Sequence, residues 1–199
     1  MRRAGIKRTQ ADEAALDEAL IKAKAGDEAG FLLLWDALHP RLLRYLQAVG
    51  CDDVDDVAGE TWLQVVRDLP KFKKESADEF RAWLFTIARH RAIDAARSRR
   101  RFLDKILAGV PAPPPVTVGN PVEDEVLQQL STQQAVAMVA ALSKDQAEVV
   151  ALRVIAGLDT EVVARLLRKS PGAVRVALHR GLRALSDDPR IKQVEEVDQ

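Results

Sequence analysis

The sequence predicts an all-α protein of two small helical domains joined by a Pro-rich linker. Three observations carry this. Apolar residues recur at spacings of three and four along most of the chain, while β-branched alternation is almost absent. Residues 108–122, AGVPAPPPVTVGNPV, hold five prolines and two glycines, a composition that reads as an extended, semi-rigid connection. Gly157 to Leu185 reads as a short helix, a tight turn and a second, basic helix. The expected division is a basic N-terminal arm over 1–11, a helical domain over 12–107, the linker over 108–122, a second helical domain over 123–186 and an acidic tail over 187–199.

The helical period begins at Asp12, with Leu16, Leu20 and Ile21 on one face. Ala25-Gly26-Asp27 reads as a helix stop followed by a new N-cap. The next helix, from about Glu28, is densely apolar at Phe31, Leu32, Leu34, Trp35 and Leu38. His39-Pro40 is expected to kink or end it, because the residue before proline is pushed away from the α region. Leu42, Leu43, Tyr45 and Leu46 then continue the core, and Gly50-Cys51-Asp52-Asp53 reads as a turn with capping residues. A helix from about Val54 to Leu69 buries Val57, Thr61, Val65 and Leu69, exposes Asp55, Asp56, Glu60 and Gln64, and stops at Pro70.

After the loop KFKKESAD the longest helical stretch runs from Phe80 to about Arg101, with Phe80, Leu84, Ile87 and Ala88 inward. Beyond the linker come a helix from about Glu123 to Leu142 and another from Lys144 to Ala156, with Ser143 as its N-cap and Gly157 as its stop. Val162, Val163, Leu166 and Leu167 form one apolar face of the following helix, and Arg168-Lys169 breaks the pattern. Ser170-Pro171 restarts it, since Ser caps well and Pro is tolerated at the first helical position. The last helix is expected to bury Val174, Leu178, Leu182 and Leu185 while presenting Arg175, His179, Arg180 and Arg183.

Composition excludes several classes. No apolar run approaches the ~20 residues of a membrane span. The N-terminus lacks the apolar core of a signal peptide, so a cytoplasmic location is expected. The single cysteine, Cys51, cannot form an intramolecular disulfide, and it lies far from His39, His90 and His179 without metal-ligand spacing. Neither a metal nor a cofactor is expected. There is no nucleophile–base pair and no Gly-rich phosphate loop, so catalysis is not expected either.

The net charge is zero, yet its distribution is uneven. Residues 81–105 carry a net +6, residues 165–183 again +6, and residues 51–68 a net −5. Two basic blocks apart from an acidic one suggest two polyanion contacts and a different, cation-bearing partner. In FRAWLFTIARHRAIDAARSRRR, cations for phosphates stand beside aromatics that can stack on unpaired bases, although Trp83 and Phe85 on a helix also suit a core. DDVDDVAGETWLQVVRD reads as a solvated helix start or as a protein interface. The final stretch reads as a helix-turn-helix or as an ordinary helical hairpin.

Four stretches, in this order, resemble the extracytoplasmic-function (ECF) group of the sigma-70 family of bacterial RNA polymerase sigma factors, over about residues 16–185. AGDEAGFLLLWDALHPRLLRYL resembles the opening helices of region 2, and DDVDDVAGETWLQVVRDLPKF its polymerase-docking segment. FRAWLFTIARHRAIDAARSRRR is similar to the segment that melts and reads the −10 element. ALSKDQAEVVALRVIAGLDTEVVARLLRKSPGAVRVALHRGLRAL resembles region 4, whose helix-turn-helix reads the −35 element. The resemblance implies an alternative sigma factor. Its partners would be core RNA polymerase (the clamp helices of the largest subunit and the flap of the second-largest), promoter DNA and an anti-sigma factor. A free-standing helix-turn-helix regulator is the alternative, whose N-terminal sensor domain would have no need of the Arg-rich helix; a helical adaptor is a third reading, which the altered recognition helix keeps open.

Carried onto this chain, the resemblance implies clamp contacts at Asp56, Glu60, Thr61 and Gln64. At the −10 element it implies Arg81, Trp83, Arg89, His90, Arg97 and Arg100, with Lys71, Lys73 and Lys74 in the loop that captures a flipped base. At the −35 element it implies Ser170, Gly172, Ala173, Arg175, Val176 and His179, with Arg168 and Arg180 on phosphates. The chain also departs from the family pattern. Arg168 replaces the turn glycine, Arg175-Val176-Ala177 a common Lys-Ser-Arg, Ala173 a Thr, His90 a frequent Asn and Gly59 a frequent Gln. The base-reading surface is therefore less polar than usual.

Overall fold

The structure, a computed structural model, describes residues 10–107 and 123–188. The expected Pro-rich linker, most of the N-terminal arm and most of the acidic tail lie outside the described residues. Among the described residues there are eight α-helices and no strand. The N-terminal domain comprises α1 (Gln10–Lys24), α2 (Glu28–Ala48), α3 (Val54–Asp68) and α4 (Ala77–Leu107), with a single 3-10 turn over Leu69–Lys71.

α1 and α2 form a closely crossed hairpin. Its loop is short because Gly26 takes φ 87° and the Asp27 carboxylate accepts from the amides of Ala29 and Gly30, an N-cap as expected. Gly30 is buried where the helices cross, and a Cβ there would lie 2.6 Å from Lys22 Cβ and 2.8 Å from the Ala19 carbonyl. α1 buries Ala19, Leu20 and Ala23, but Ile21 is exposed, contrary to expectation, because it lies one residue past that face. Of the kink or end expected at His39-Pro40, the end does not occur. α2 passes through Pro40, carried by Leu34, Leu38, Leu42 and Leu46, which are buried on one side of the proline and the other. Tertiary burial outweighs a local helix-breaking cost of about 3 kcal/mol.

α3 follows the expected span and buries Val57, Thr61, Val65 and, just beyond it, Leu69. It also buries Trp62, whose indole Nε1–H donates to His39 Nδ1 at 3.2 Å inside an aromatic cluster with Phe31 and Trp35. α4 begins three residues earlier than expected. Its first amide, that of Ala77, donates to the Asp17 carboxylate of α1 at 2.6 Å, a cap supplied from another helix.

The C-terminal domain comprises α5 (Glu123–Ala140), α6 (Lys144–Val150), α7 (Thr160–Leu167) and α8 (Pro171–Ser186). Ser143 stands at the N-cap position of α6 but makes no side-chain cap bond. The expected helix over 144–156 is divided by a π-helical turn at Ala151–Ile155, where the Ala156 amide reaches back to the Ala151 carbonyl. α8 packs on α6 through Val174, Ala177 and Gly181, and Leu182 faces solvent instead of the core. The approach is close: a Cβ on Gly181 would lie 2.7 Å from Val150 Cγ2. The two domains share one apolar core. α2 packs against α5 and the π turn, so that Leu42 and Tyr45 lie in the same buried cluster as Val139, Val149 and Leu152.

Candidate nucleic-acid interface

The turn between α7 and α8 is built by backbone geometry. The Arg168 amide donates to the Arg165 carbonyl and the Lys169 amide to the Ala164 carbonyl, the paired bonds of a Schellman motif. Such a motif needs a left-handed residue at its centre, and Arg168 supplies it at φ 55°, ψ 45°. Two other helix ends use the same device with glycine, Gly26 at φ 87° and Gly50 at φ 73°. Ser170 then caps α8, its hydroxyl accepting from the Ala173 amide at 3.1 Å, and Pro171 opens the helix. Arg168, Ser170, Gly172, Ala173, Arg175, Val176, His179 and Arg180 are all exposed. Glu161 of α7 holds Arg175 Nη2 at 3.4 Å, and Lys169 pairs with Asp145. α8 thus presents a basic surface, half apolar at its N-terminal end, that can enter a groove.

α4 carries the second basic block. His90, Arg97 and Arg100 are exposed on it, and Lys71, Lys73 and Lys74 are exposed in the preceding loop, where Lys74 pairs with Glu79 at 2.8 Å. Trp83 is half-buried, stacked on Phe72 with ring centroids 4.7 Å apart, so one indole face is covered. Phe85 is a core residue, edge-on to Tyr45. Two of the expected DNA-facing residues are turned away from solvent. Arg81 is 1% exposed, with Nη1 2.8 Å from Asp78 Oδ1 and 3.5 Å from the Gly157 carbonyl. Arg89 Nε lies 2.7 Å from Glu148 Oε1 on α6. Tyr45 is buried beside that pair. Burial pushes its phenol well above the usual range; Glu148 adds to the shift and Arg89 opposes it.

The acidic stretch has its own geometry. Asp56 and Glu60 are exposed on α3 and Gln64 is half-buried. Thr61 is not part of that surface: it is fully buried, its hydroxyl donating to the Val57 carbonyl at 2.7 Å. The face is apolar as well as acidic, because Leu63 is 73% exposed and Val66 is 54% exposed. Arg91 was not expected at this site. It donates to Gln64 Oε1 at 3.1 and 2.9 Å and lies 3.5 Å from Glu60 Oε2, fixing two of the candidate residues from α4. Nothing in a linear pattern marks Arg91 apart from its neighbours; the pairing needs the α3–α4 packing.

A family model described as sigma-70 region 2 matches residues 34–102, and one described as sigma-70, region 4 matches residues 132–185. The chain is 32% identical over 185 residues to the ECF RNA polymerase sigma factor BldN of Streptomyces coelicolor, with 90% of this chain and 69% of that protein covered. It is 31% identical to the ECF RNA polymerase sigma factor SigD of Mycobacterium tuberculosis, with 87% and 83% covered. It is 32% identical to ShbA, another ECF sigma factor, of Streptomyces griseus, with 87% and 95% covered. Among solved structures, the fold is similar to CnrH in complex with the cytosolic domain of CnrY (TM-score 0.59, 22% identity, 93% of this chain and 99% of that one). It is also similar to RpoE of Bartonella quintana in complex with the anti-sigma factor NepR (TM-score 0.59, 21% identity, 86% and 98%).

Proposed function

The chain belongs to the ECF group of sigma-70 factors and is an alternative sigma factor directing transcription initiation, and we propose that it does so through three surfaces of stated residues. The α3 face, with Asp56, Glu60, Gln64, Leu63 and Val66, docks on the clamp helices of the polymerase largest subunit. α4 and the lysine loop bind the melted −10 element, with Arg97, Arg100 and His90 on the strand and Lys71, Lys73 and Lys74 around a captured base. α8 reads the −35 element, while the C-terminal domain meets the flap. Ala173 and Val176 contact thymine methyls there, and Arg168, Arg175 and Arg180 approach phosphates. The chain acts as a specificity subunit and not as a catalyst.

The observation that carries this reading is the α3 face. Two large apolar side chains stand open beside carboxylates on a helix whose other side is fully packed. A merely solvated helix start explains the acids but not Leu63 and Val66. Among the described residues no helix is long and apolar enough to cross a membrane. The site of action is the cytoplasm, with the polymerase. The structural neighbours bound to CnrY and to NepR support an anti-sigma factor as a further partner.

The test uses Glu60→Lys. Capture of sigma-free core polymerase and promoter-dependent run-off transcription should both be lost, with helical content by circular dichroism unchanged. Retained polymerase capture by the variant would place the docking surface elsewhere.

A further inference from the structure

The lysine loop assigned above to the captured base is held from behind by α1. Asp17 and Lys24 stand about two helical turns apart on one face of α1, with buried Leu20 between them. Both are half-buried. Lys24 Nζ donates to the Lys74 carbonyl at 3.0 Å, and the Asp17 carboxylate accepts from the Ala77 amide at 2.6 Å. The other end of the loop is pinned by α4. Phe72 stacks on Trp83 with ring centroids 4.7 Å apart and stands edge-on to Phe80 at 5.9 Å. The Lys74 ammonium is tied to Glu79 at 2.8 Å, whereas Lys71 and Lys73 are exposed. Residues 72–77 are thus fixed at both ends, by two different helices, with Lys73 exposed between the anchors.

We propose that Asp17 and Lys24 are positioning residues for the captured base, holding the loop in its base-accepting shape before DNA arrives. Lys71, Lys73 and Lys74 repel one another within four residues of chain. A loop left free would be ordered only on binding, and the lost conformational entropy would weaken capture. Asp17 also satisfies the first amide of the helix on which the loop ends, and sets an anion at the positive end of that helix. Arg97 and Arg100 lie about 30 Å along α4 from Ala77, so their phosphate contacts do not depend on the loop. Releasing the loop therefore multiplies capture of the preferred base by the fraction of loops still in shape, and leaves strand binding otherwise intact. The inference rests on the assignment of this loop to the captured base.

The test uses holoenzyme assembled from core polymerase and the full chain, on a genomic fragment that supports run-off transcription with its −10 element randomised. Sequencing the transcripts gives base preference position by position. Asp17→Ala and Lys24→Ala should each flatten the preference at one position roughly three- to tenfold, with other positions, polymerase capture and helical content unchanged. Asp17→Asn keeps an oxygen for the Ala77 amide and should retain the preference. Lys22→Ala, which removes an ion pair to Glu18 within α1, should match the wild type.

A uniform loss of transcripts with every preference kept would make α1 a structural support alone and overturn the proposal. Wild-type behaviour of the double variant Asp17→Ala/Lys24→Ala would overturn it as well. Lys71→Ala/Lys73→Ala then decides how far the failure reaches. If that variant changes the preference at one position, the loop captures the base without help from α1. If it leaves every preference unchanged, the assignment of the loop falls, and the inference with it.

Discussion

Replacing Arg168 with glycine separates what this position does for the fold from what it does for DNA. Among the described residues three helices end in the same paired backbone bonds around a left-handed residue, and of these only the one leading into α8 uses a side-chain-bearing residue, at φ 55°. A left-handed conformation costs such a residue about 1–2 kcal/mol. Glycine removes that cost but adds about 0.4–1 kcal/mol of unfolded-chain entropy. Arg168→Gly should therefore be more stable than Arg168→Ala by about 1 kcal/mol, since alanine loses the charge and keeps the strain. In thermal melts this is about 4–8 °C if the C-terminal domain unfolds as a unit, or about 2–4 °C if the whole chain does. Both variants should lose the phosphate contact, lowering the slope of log affinity against log salt by about 1 in duplex binding. If the glycine variant is no more stable than the alanine one, the strain argument is wrong.

Two further perturbations follow from the geometry. Gly30→Ala forces a Cβ within 2.8 Å of backbone atoms of α1, so overpacking of about 1–3 kcal/mol should exceed the helix-propensity gain of about 1 kcal/mol. Gly59→Ala on α3, where nothing lies within 4 Å, should instead stabilise by about 0.5–1 kcal/mol, and denaturant titrations giving both substitutions the same sign would contradict the packing. His39 adds a pH dependence. Burial lowers its pKa from the ordinary 6.5, with nearby Asp55 opposing, and its Nδ1 accepts from Trp62, which the protonated ring cannot do. The unfolded chain takes up the proton first, so stability should fall as pH drops through about 6.5 and go on falling until folded His39 is itself protonated. His39→Gln should flatten the melting temperature between pH 7.5 and 5.5 or so, and an unchanged slope there would refute the assignment.

Much of the candidate site was legible because it depends on short-range pattern. Ser170-Pro171 announces a capped helix start, and the capping bond forms; the exposed cations of α8 follow from its 3.6-residue period. The misjudged residues are those whose environment is set from elsewhere in the chain. Thr61 and Arg81 are polar residues on helices with polar faces, and period alone assigns one of them inward and leaves the other ambiguous. The structure buries both, Thr61 with its hydroxyl spent on its own helix and Arg81 beneath a carbonyl 76 residues away. Arg91, inconspicuous among its neighbours, organises Glu60 and Gln64 only because α4 lies along α3.

The sequence by itself determined the approximate helices, the caps at Asp27 and Ser170, the separation of charge and, through motif order, the family, since each is written within a few turns of chain. The tertiary structure decided which faces meet and how closely. It kept α2 helical through Pro40, because burial on both sides outweighs a lost hydrogen bond. It seated α8 on Gly181 instead of Leu182, because only a residue without a Cβ lets the helix approach Val150. It also brought Glu148 onto Arg89 across the domains, a contact 59 residues apart that no local periodicity encodes.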